Sequence, residues 1–343
     1  MADYQFVHSQ FTLNGFSFTQ SDLSRVAYAY IKEGDEYEQQ LGLFLLHWFD
    51  DSPTIELTTS GTTGLPKKII LPKQALVESA KATGDFFQLD ATTKALLCLS
   101  TQFIAGKMMV VRALQLGWHL DAVMPSSFPL QKVDKHYDFV AMVPLQVANS
   151  LAKLNQIKLV LIGGAPLSNA LRDQLIKLGT QAYESYGMTE TVTHIAVKPI
   201  REPYFTALPG VHFSVDDQQC LCITATRITA EPVLTKDVVD LINPTQFAFV
   251  GRLDNAINSG GVKLFPELIE SKLAQGIPHR FFVLGQPDET WGEKVVLVIE
   301  AEPYALPTTL FDALNKFEKP KEIVFQTPFL ETVSGKIIRK RSV

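Results

Sequence analysis

Leu57-Thr58-Thr59-Ser60-Gly61-Thr62-Thr63-Gly64-Leu65-Pro66-Lys67-Lys68 is the stretch on which the reading of this chain turns. Its two glycines allow successive backbone N–H groups to converge on one anion, and the hydroxyls of Ser60, Thr62 and Thr63 add donors. Lys67 adds positive charge. The spacing is not that of G-x-x-x-x-G-K-[ST], so this is not a Walker A loop. A flexible polar turn is the ordinary meaning of a Ser/Thr/Gly-rich loop; the density of hydroxyls beside a lysine favours the anion. The loop is expected between a strand and a helix.

Working outward, residues 54–186 alternate short apolar runs with amphipathic stretches. Strands are expected at Lys94–Ser100, Asp138–Val143 and Lys158–Ile162. Helices are expected at Lys73–Phe87, Gly106–Leu116 and Leu145–Leu154, and another after Pro166-Leu167-Ser168, with Ser168 as N-cap. Strands alternating with helices predict an α/β fold, mainly parallel sheets flanked by helices. Beyond Phe249 the texture changes to a small α+β unit: helices at Pro266–Gln275 and Thr308–Phe317, and strands at Arg280–Leu284, Lys294–Glu300 and Glu322–Gln326. Two domains are expected, residues 1–253 and 254–343.

The composition sets bounds. A chain of 343 residues with 46% hydrophobic and 20% charged residues has ample material for packed cores, which excludes a disordered or collagen-like chain. A net charge of −5 disfavours a general nucleic-acid binder. Cys220 and Cys222 share one face of a β-like run and read as buried thiols of a reducing compartment. Met1 to Phe6 lacks a secretory pattern, and no apolar run reaches the roughly 18–20 residues of a membrane span, so a cytoplasmic protein is expected. The seven histidines are scattered without metal-ligand spacing, and no G-x-S-x-G elbow occurs.

A second segment, Tyr183-Glu184-Ser185-Tyr186-Gly187-Met188-Thr189-Glu190-Thr191, would bring an aromatic face, a hydroxyl and a carboxylate around one point at a strand end. An aromatic suits a nucleobase, Thr189 a phosphate oxygen, and Glu190 Mg²⁺, which prefers oxygen ligands. A helix-start cap is the plainer meaning of Thr189 and Glu190. Third come Gly251-Arg252-Leu253-Asp254, Ser259-Gly260-Gly261-Val262-Lys263 and Ser334-Gly335-Lys336. A lysine near a C-terminus is ordinarily a solvated charge.

Taken together and in this order, these segments resemble the adenylate-forming superfamily of acyl- and aryl-CoA synthetases, luciferases and peptide-synthetase adenylation domains, from about Thr54 to the C-terminus. The resemblance implies ATP, Mg²⁺ and CoA. It makes Ser60, Gly61, Thr62, Thr63, Gly64 and Lys67 a phosphate loop, and Gly163-Gly164-Ala165-Pro166 an adenine-lining turn. Tyr186, beside Gly187, would stack on adenine, Thr189 would contact the α-phosphate, and Glu190 would hold Mg²⁺. Asp237 would accept from the ribose diol and Arg252 would reach ribose or phosphates. Asp254 would be the hinge, Ser259, Gly260 and Gly261 would face CoA, and Lys336 would meet the carboxylate and α-phosphate during adenylation.

The short region before the phosphate loop and the run Ser185 to Ile195 are similar to those of compact o-succinylbenzoate–CoA ligases of menaquinone biosynthesis. Such an acid has a second carboxylate, for which Phe103, Lys107, Thr191 and His194 are the pocket candidates. Lys107 as a solvated helix charge and His194 as a satisfied strand residue are the plain alternatives. Phe103 stands where many relatives have His, Lys236 replaces the usual Gly before Asp237, and Val262-Lys263 replaces a common Glu-Asn. Other readings stay open: a ligase for another aryl or acyl acid, an adenylation enzyme loading a carrier-protein thiol, a silent nucleotide-binding protein, and a homo-oligomer of any of these. The partners implied are small molecules, with no nucleic acid and no membrane insertion.

Overall fold

Residues 3–59, 67–331 and 337–339 are described by the computed structural model. Runs such as Ile157-Lys158-Leu159-Val160-Leu161-Ile162 leave almost no polar side to a strand, so they must be covered on both faces. The structure does this. Six strands lie side by side and parallel, in the order Thr12–Leu13, His119–Ala122, Lys94–Leu97, Tyr137–Met142, Ile157–Ile162 and Gln181–Gly187. Alternate residues feed two cores. Ala95, Leu97, Phe139, Ala141, Leu159 and Leu161 pack with the helices Lys73–Phe87 and Ile104–Leu116. Leu96, Val140, Met142, Val160 and Ile162 pack with Val147 and Leu154, and with Leu171 and Leu175 of the helix Asn169–Ile176.

After Gly187 the same 13-stranded sheet continues antiparallel, through His194–Pro199, Phe205–Ala207, Gln246–Arg252, Val233–Asn243, Cys220–Thr224 and His212–Val215. The large sheet is therefore mixed. The connections there are too short for helical crossovers, which parallel neighbours require. The expected phosphate loop is flanked differently from expectation as well: it joins two paired strands, Thr54–Thr59 and Lys67–Pro72, and the helix begins only at Lys73. The alternation in Lys68-Ile69-Ile70-Leu71, with Leu71 buried and Ile70 exposed, carries that second strand.

A separate five-stranded sheet holds Ile257–Ser259, Val262–Leu264, Phe281–Asp288, Gly292–Ile299 and Glu322–Phe325, covered by the helix Pro266–Leu273. Its apolar clusters contain residues from Ile257 onward, whereas those of the large sheet end at Phe247. Leu253–Asn255, a 3₁₀ turn, links the two. Two expected helices fall short. Thr308–Phe311 is a single 3₁₀ turn, because Asn315 accepts from the N–H groups of Phe317 and Glu318 and draws the chain into a new turn. Leu145–Leu154 divides into the helix Pro144–Ser150 and the 3₁₀ turn Leu151–Gln156.

Candidate active site

The carboxyl ends of the parallel strands supply the first pieces. Beyond Ile162 the chain turns through Gly163 and Gly164, the latter at φ +86°, which leaves Gly164, Ala165 and Pro166 exposed. The next strand lies hard against this turn: Ser185 Oγ donates to Ile162 O at 3.0 Å, and a Cβ on Gly163 would sit 2.4 Å from that hydroxyl. The glycine thus leaves room for the Ser185 hydroxyl, which a Cβ would push off Ile162 O. This is the crevice of an open α/β sheet, where ligands ordinarily bind.

Tyr186 is half-buried, with its ring edge-on to Phe247 and 5.7 Å from Phe205. Its hydroxyl donates to Asp237 Oδ2 at 2.6 Å, and Arg252 donates to the other oxygen of the same carboxylate at 3.0 Å. Asp237 and Arg252 face each other across the pair Val233–Asn243 and Gln246–Arg252, so strand register delivers the ion pair. Burial, then the Asp237 charge, raises the Tyr186 phenol well above its ordinary value, keeping it a donor. Arg252 also donates to Asp254 Oδ2 at 3.1 Å, and its two carboxylate partners outweigh burial and raise its pKa. One guanidinium therefore joins the large sheet to the first residues of the linker.

Thr189, Glu190 and Thr191 form a 3₁₀ turn immediately after Gly187, and Glu190 is exposed at its apex. The turn packs against the strand Lys67–Pro72, which leads out of the phosphate-loop segment. Ser60, Gly61, Thr62, Thr63, Gly64 and Lys336 lie outside the described residues; the backbone of Lys67 opens that strand. Among the described residues no group of three or more His, Cys, Asp or Glu side chains is placed to hold a metal. A lone exposed carboxylate is nevertheless what Mg²⁺ uses beside a triphosphate, and Glu190 fits it in that sense.

Ser259, Gly260 and Gly261 make the tight turn between Ile257–Ser259 and Val262–Leu264, with both glycines at positive φ, +60° and +78°. Gly260 packs on the Trp291 ring and its N–H donates to Trp291 O at 2.8 Å.

The four acid-pocket candidates sit in different surroundings. Phe103 is 62% exposed ahead of the helix Ile104–Leu116. Lys107 donates to Thr101 O and lies over the Phe44 ring, and burial lowers its pKa to about 8. Thr191 is fully buried with its hydroxyl bound to backbone at Met188 and Thr193, so it holds the turn. His194 is buried with Nε2 3.5 Å from Thr83 Oγ1 and Nδ1 3.3 Å from the Arg112 guanidinium. Burial, then the Arg112 charge, drives its pKa well down, so the ring is neutral.

Arg112 itself escaped the sequence reading. It is 2% exposed, donates to Thr83 Oγ1 at 3.3 Å, and has no carboxylate partner among the described residues. Burial lowers its pKa to about 9, which still leaves it charged at neutral pH. The available signal was a lone arginine in the apolar run Met108 to Leu116.

Comparison with known proteins agrees with this arrangement. The model of the AMP-binding enzyme family matches residues 48–220. The chain is 25% identical to the 2-succinylbenzoate–CoA ligase of Haemophilus influenzae, over 91% of this chain and 73% of that one. It superposes with a TM-score of 0.64 and 35% identity on an acyl-CoA synthetase (AMP-forming)/AMP-acid ligase II-like protein from Dyadobacter fermentans, covering 92% of this chain and 96% of the other. The o-succinylbenzoate CoA synthetase of Bacillus subtilis, in complex with the acyl-adenylate intermediate OSB-AMP, shares the fold at TM-score 0.73 and 20% identity, covering 83% of this chain and 67% of its own. The chain spans about two thirds to three quarters of the length of several curated relatives it matches. On the family match across half its length, and on the structural likeness across nearly all of it, the chain belongs to the AMP-binding enzyme family.

Proposed function

We propose that this protein is an ATP-dependent acid–CoA ligase whose acid is o-succinylbenzoate. In this reading the acid's succinyl carboxylate attacks the α-phosphorus of ATP, forming an acyl-adenylate and releasing pyrophosphate. The thiolate of CoA then attacks the acyl carbon, and AMP leaves. Tyr186 and the 163–166 turn would bind adenine and Asp237 the ribose diol. Thr189 would hold an α-phosphate oxygen, and the phosphate loop the triphosphate. Lys336 would neutralise charge growing between the two reacting anions. Mg²⁺, when bound by the triphosphate and Glu190, would supply further neutralisation. Residues 254–343 would form the domain that turns about Asp254, removing Lys336 and presenting Ser259, Gly260 and Gly261 to CoA. Such small-molecule chemistry fits a cytoplasmic protein, and no described helix is long and apolar enough to cross a membrane.

The single observation that carries the choice of acid is Arg112. A buried guanidinium without a carboxylate is costly, and it ends beside His194, three residues beyond Thr191. A spare carboxylate on the substrate would complete the pair. Curated relatives named 2-succinylbenzoate–CoA ligase, at 25–27% identity, support the same acid.

The test is a coupled assay for ATP-dependent thioester formation with Mg²⁺ and CoA, comparing o-succinylbenzoate with benzoate, succinate and a medium-chain fatty acid. A strong preference for the first is expected. In Arg112→Leu, loss of a charge-assisted contact should raise KM for o-succinylbenzoate by about 10- to 100-fold while leaving slow turnover of benzoate unchanged. Equal loss on both acids would remove Arg112 from the acid pocket. Activity restricted to some other acid would overturn the substrate while keeping the reaction.

A further inference from the structure

The backbone that follows Glu190 is held in a conformation that a β-branched residue rarely adopts. Val192 has φ +68° and ψ −63°, and Thr193 N–H donates to Thr191 O at 2.8 Å across it. This is a γ-turn of the rare, strained hand, occupied by a fully buried valine. The strain is enforced from both sides. Thr191 Oγ1 accepts from Met188 N–H at 3.1 Å and lies 3.0 Å from both Met188 O and Thr193 O, a hydroxyl tying the loop's entry to its exit. Gly187 lets the loop close on itself, since a Cβ there would lie 2.2 Å from Thr193 O. The result is a loop with Thr189 and Glu190 at its apex and its two ends clamped together.

We infer that Thr191 and Val192 are positioning residues that set the Glu190 carboxylate for the metal of the bound nucleotide. The inference rests on the proposed reading of Glu190. Strained backbone persists only where surrounding contacts over-determine it, and here those contacts converge on the Thr191 hydroxyl. Neither residue would touch the metal, since the Thr191 hydroxyl is bound to backbone and Val192 is apolar and buried. Their effect is to reduce the number of places the apex carboxylate can occupy, so that it is preorganised before the metal–nucleotide complex arrives.

The test uses the full chain with Mn²⁺ and α,β-methylene-ATP, following bound Mn²⁺ by electron paramagnetic resonance, with Tm recorded for each variant. Thr191→Val should weaken Mn²⁺ binding in the ternary complex by about tenfold, the range for loss of a group that orients a metal ligand. Thr191→Ser, which keeps the hydroxyl, should restore it. Val192→Gly relieves the positive φ but empties a buried apolar site, so its Tm should fall while Mn²⁺ binding weakens. Val211→Ala, which trims the same core with no positive φ to relieve, should lower Tm and leave Mn²⁺ binding unchanged, a contrast that a merely structural residue would not produce. If Thr191→Val does not fold, Val192→Gly against Val211→Ala decides. Wild-type Mn²⁺ binding in the folded Thr191 and Val192 variants, with weakened binding in Glu190→Gln, would overturn the inference and keep the reading of Glu190. Wild-type binding in Glu190→Gln would overturn both.

Discussion

His194 shows how a residue legible as a motif position acquires its chemistry from packing. Its neighbours are Thr83 and the Arg112 guanidinium, and burial first, then that charge, depresses its pKa. The folded state therefore binds fewer protons than the unfolded chain below pH 6.5. Stability from this group is intact above the unfolded value and is lost as pH falls toward the depressed folded value. The slope is about 1.4 kcal/mol per pH unit for one proton. His194→Gln, neutral throughout, should flatten that acid limb in urea titrations between pH 6.5 and 5; an unchanged limb would assign it to other groups. Gly106 makes the opposite point, since no chemistry attends it. A Cβ there would stand 2.2 Å from Ser100 O, so Gly106→Ala should destabilise by about 2–3 kcal/mol through forced backbone movement. The residues Tyr186, Asp237 and Arg252 were recognisable singly in the sequence. That one carboxylate accepts from both others depends on strand register for Arg252, 15 residues away, and on the path of the sheet for Tyr186, 51 residues away, on which local pattern is silent.

At the scale of elements, the helix Lys73–Phe87 matches its expectation residue for residue, because Pro72 fixes the start and the apolar spacing needs no tertiary partner to be seen. Ser168 caps Asn169–Ile176 as its position implied, accepting from Leu171 N–H at 3.2 Å. Ser168→Ala should cost about 1 kcal/mol by denaturant titration. The missed strand Lys67–Pro72 and the shortened Thr308–Phe311 turn share a cause. Each hangs on a partner distant from its own periodicity: the pairing with Thr54–Thr59 for one, the side chain of Asn315 for the other.

Across the whole molecule, the apolar clusters of the large sheet and those of the smaller unit meet along a polar seam. Asn169 donates to Ser271 O at 3.1 Å, Asn255 donates to Glu267 Oε1 at 2.6 Å, and Gly251 leaves room for Glu267 and Phe265. The hydrogen bonds among these contacts exchange readily for water, which suits surfaces that separate. If residues 254–343 turn about Asp254, Asp254→Pro should leave pyrophosphate exchange within about twofold and lower thioester formation by roughly tenfold or more. Equal loss of both half-reactions would argue against a hinge there. Within the smaller unit, Arg339 donates to both oxygens of Glu270 and to Val283 O, tying the chain beyond Lys336 to the helix Pro266–Leu273. Glu270→Ala leaves that half-buried arginine with only the Glu267 carboxylate, 3.8 Å away, as its acidic partner. It should destabilise the unit by about 2 kcal/mol, measurable as a lower midpoint in guanidinium titration.

The sequence by itself determined the α/β character, the order of the motifs and the chemistry of the residues each motif offers. Those properties lie in composition and short-range spacing: hydroxyls beside glycines, an aromatic before a carboxylate, apolar residues at strand and helix periods. Tertiary structure alone decided that the large sheet is mixed, and that Thr191 braces a turn. It also decided that Lys107 faces Phe44 and that Arg112 lies buried beside His194. The physical reason is common to all four. Each is fixed by which distant segments share a core, and a guanidinium becomes a candidate anion site only once folding has stripped its water and, among the described residues, supplied no carboxylate in return.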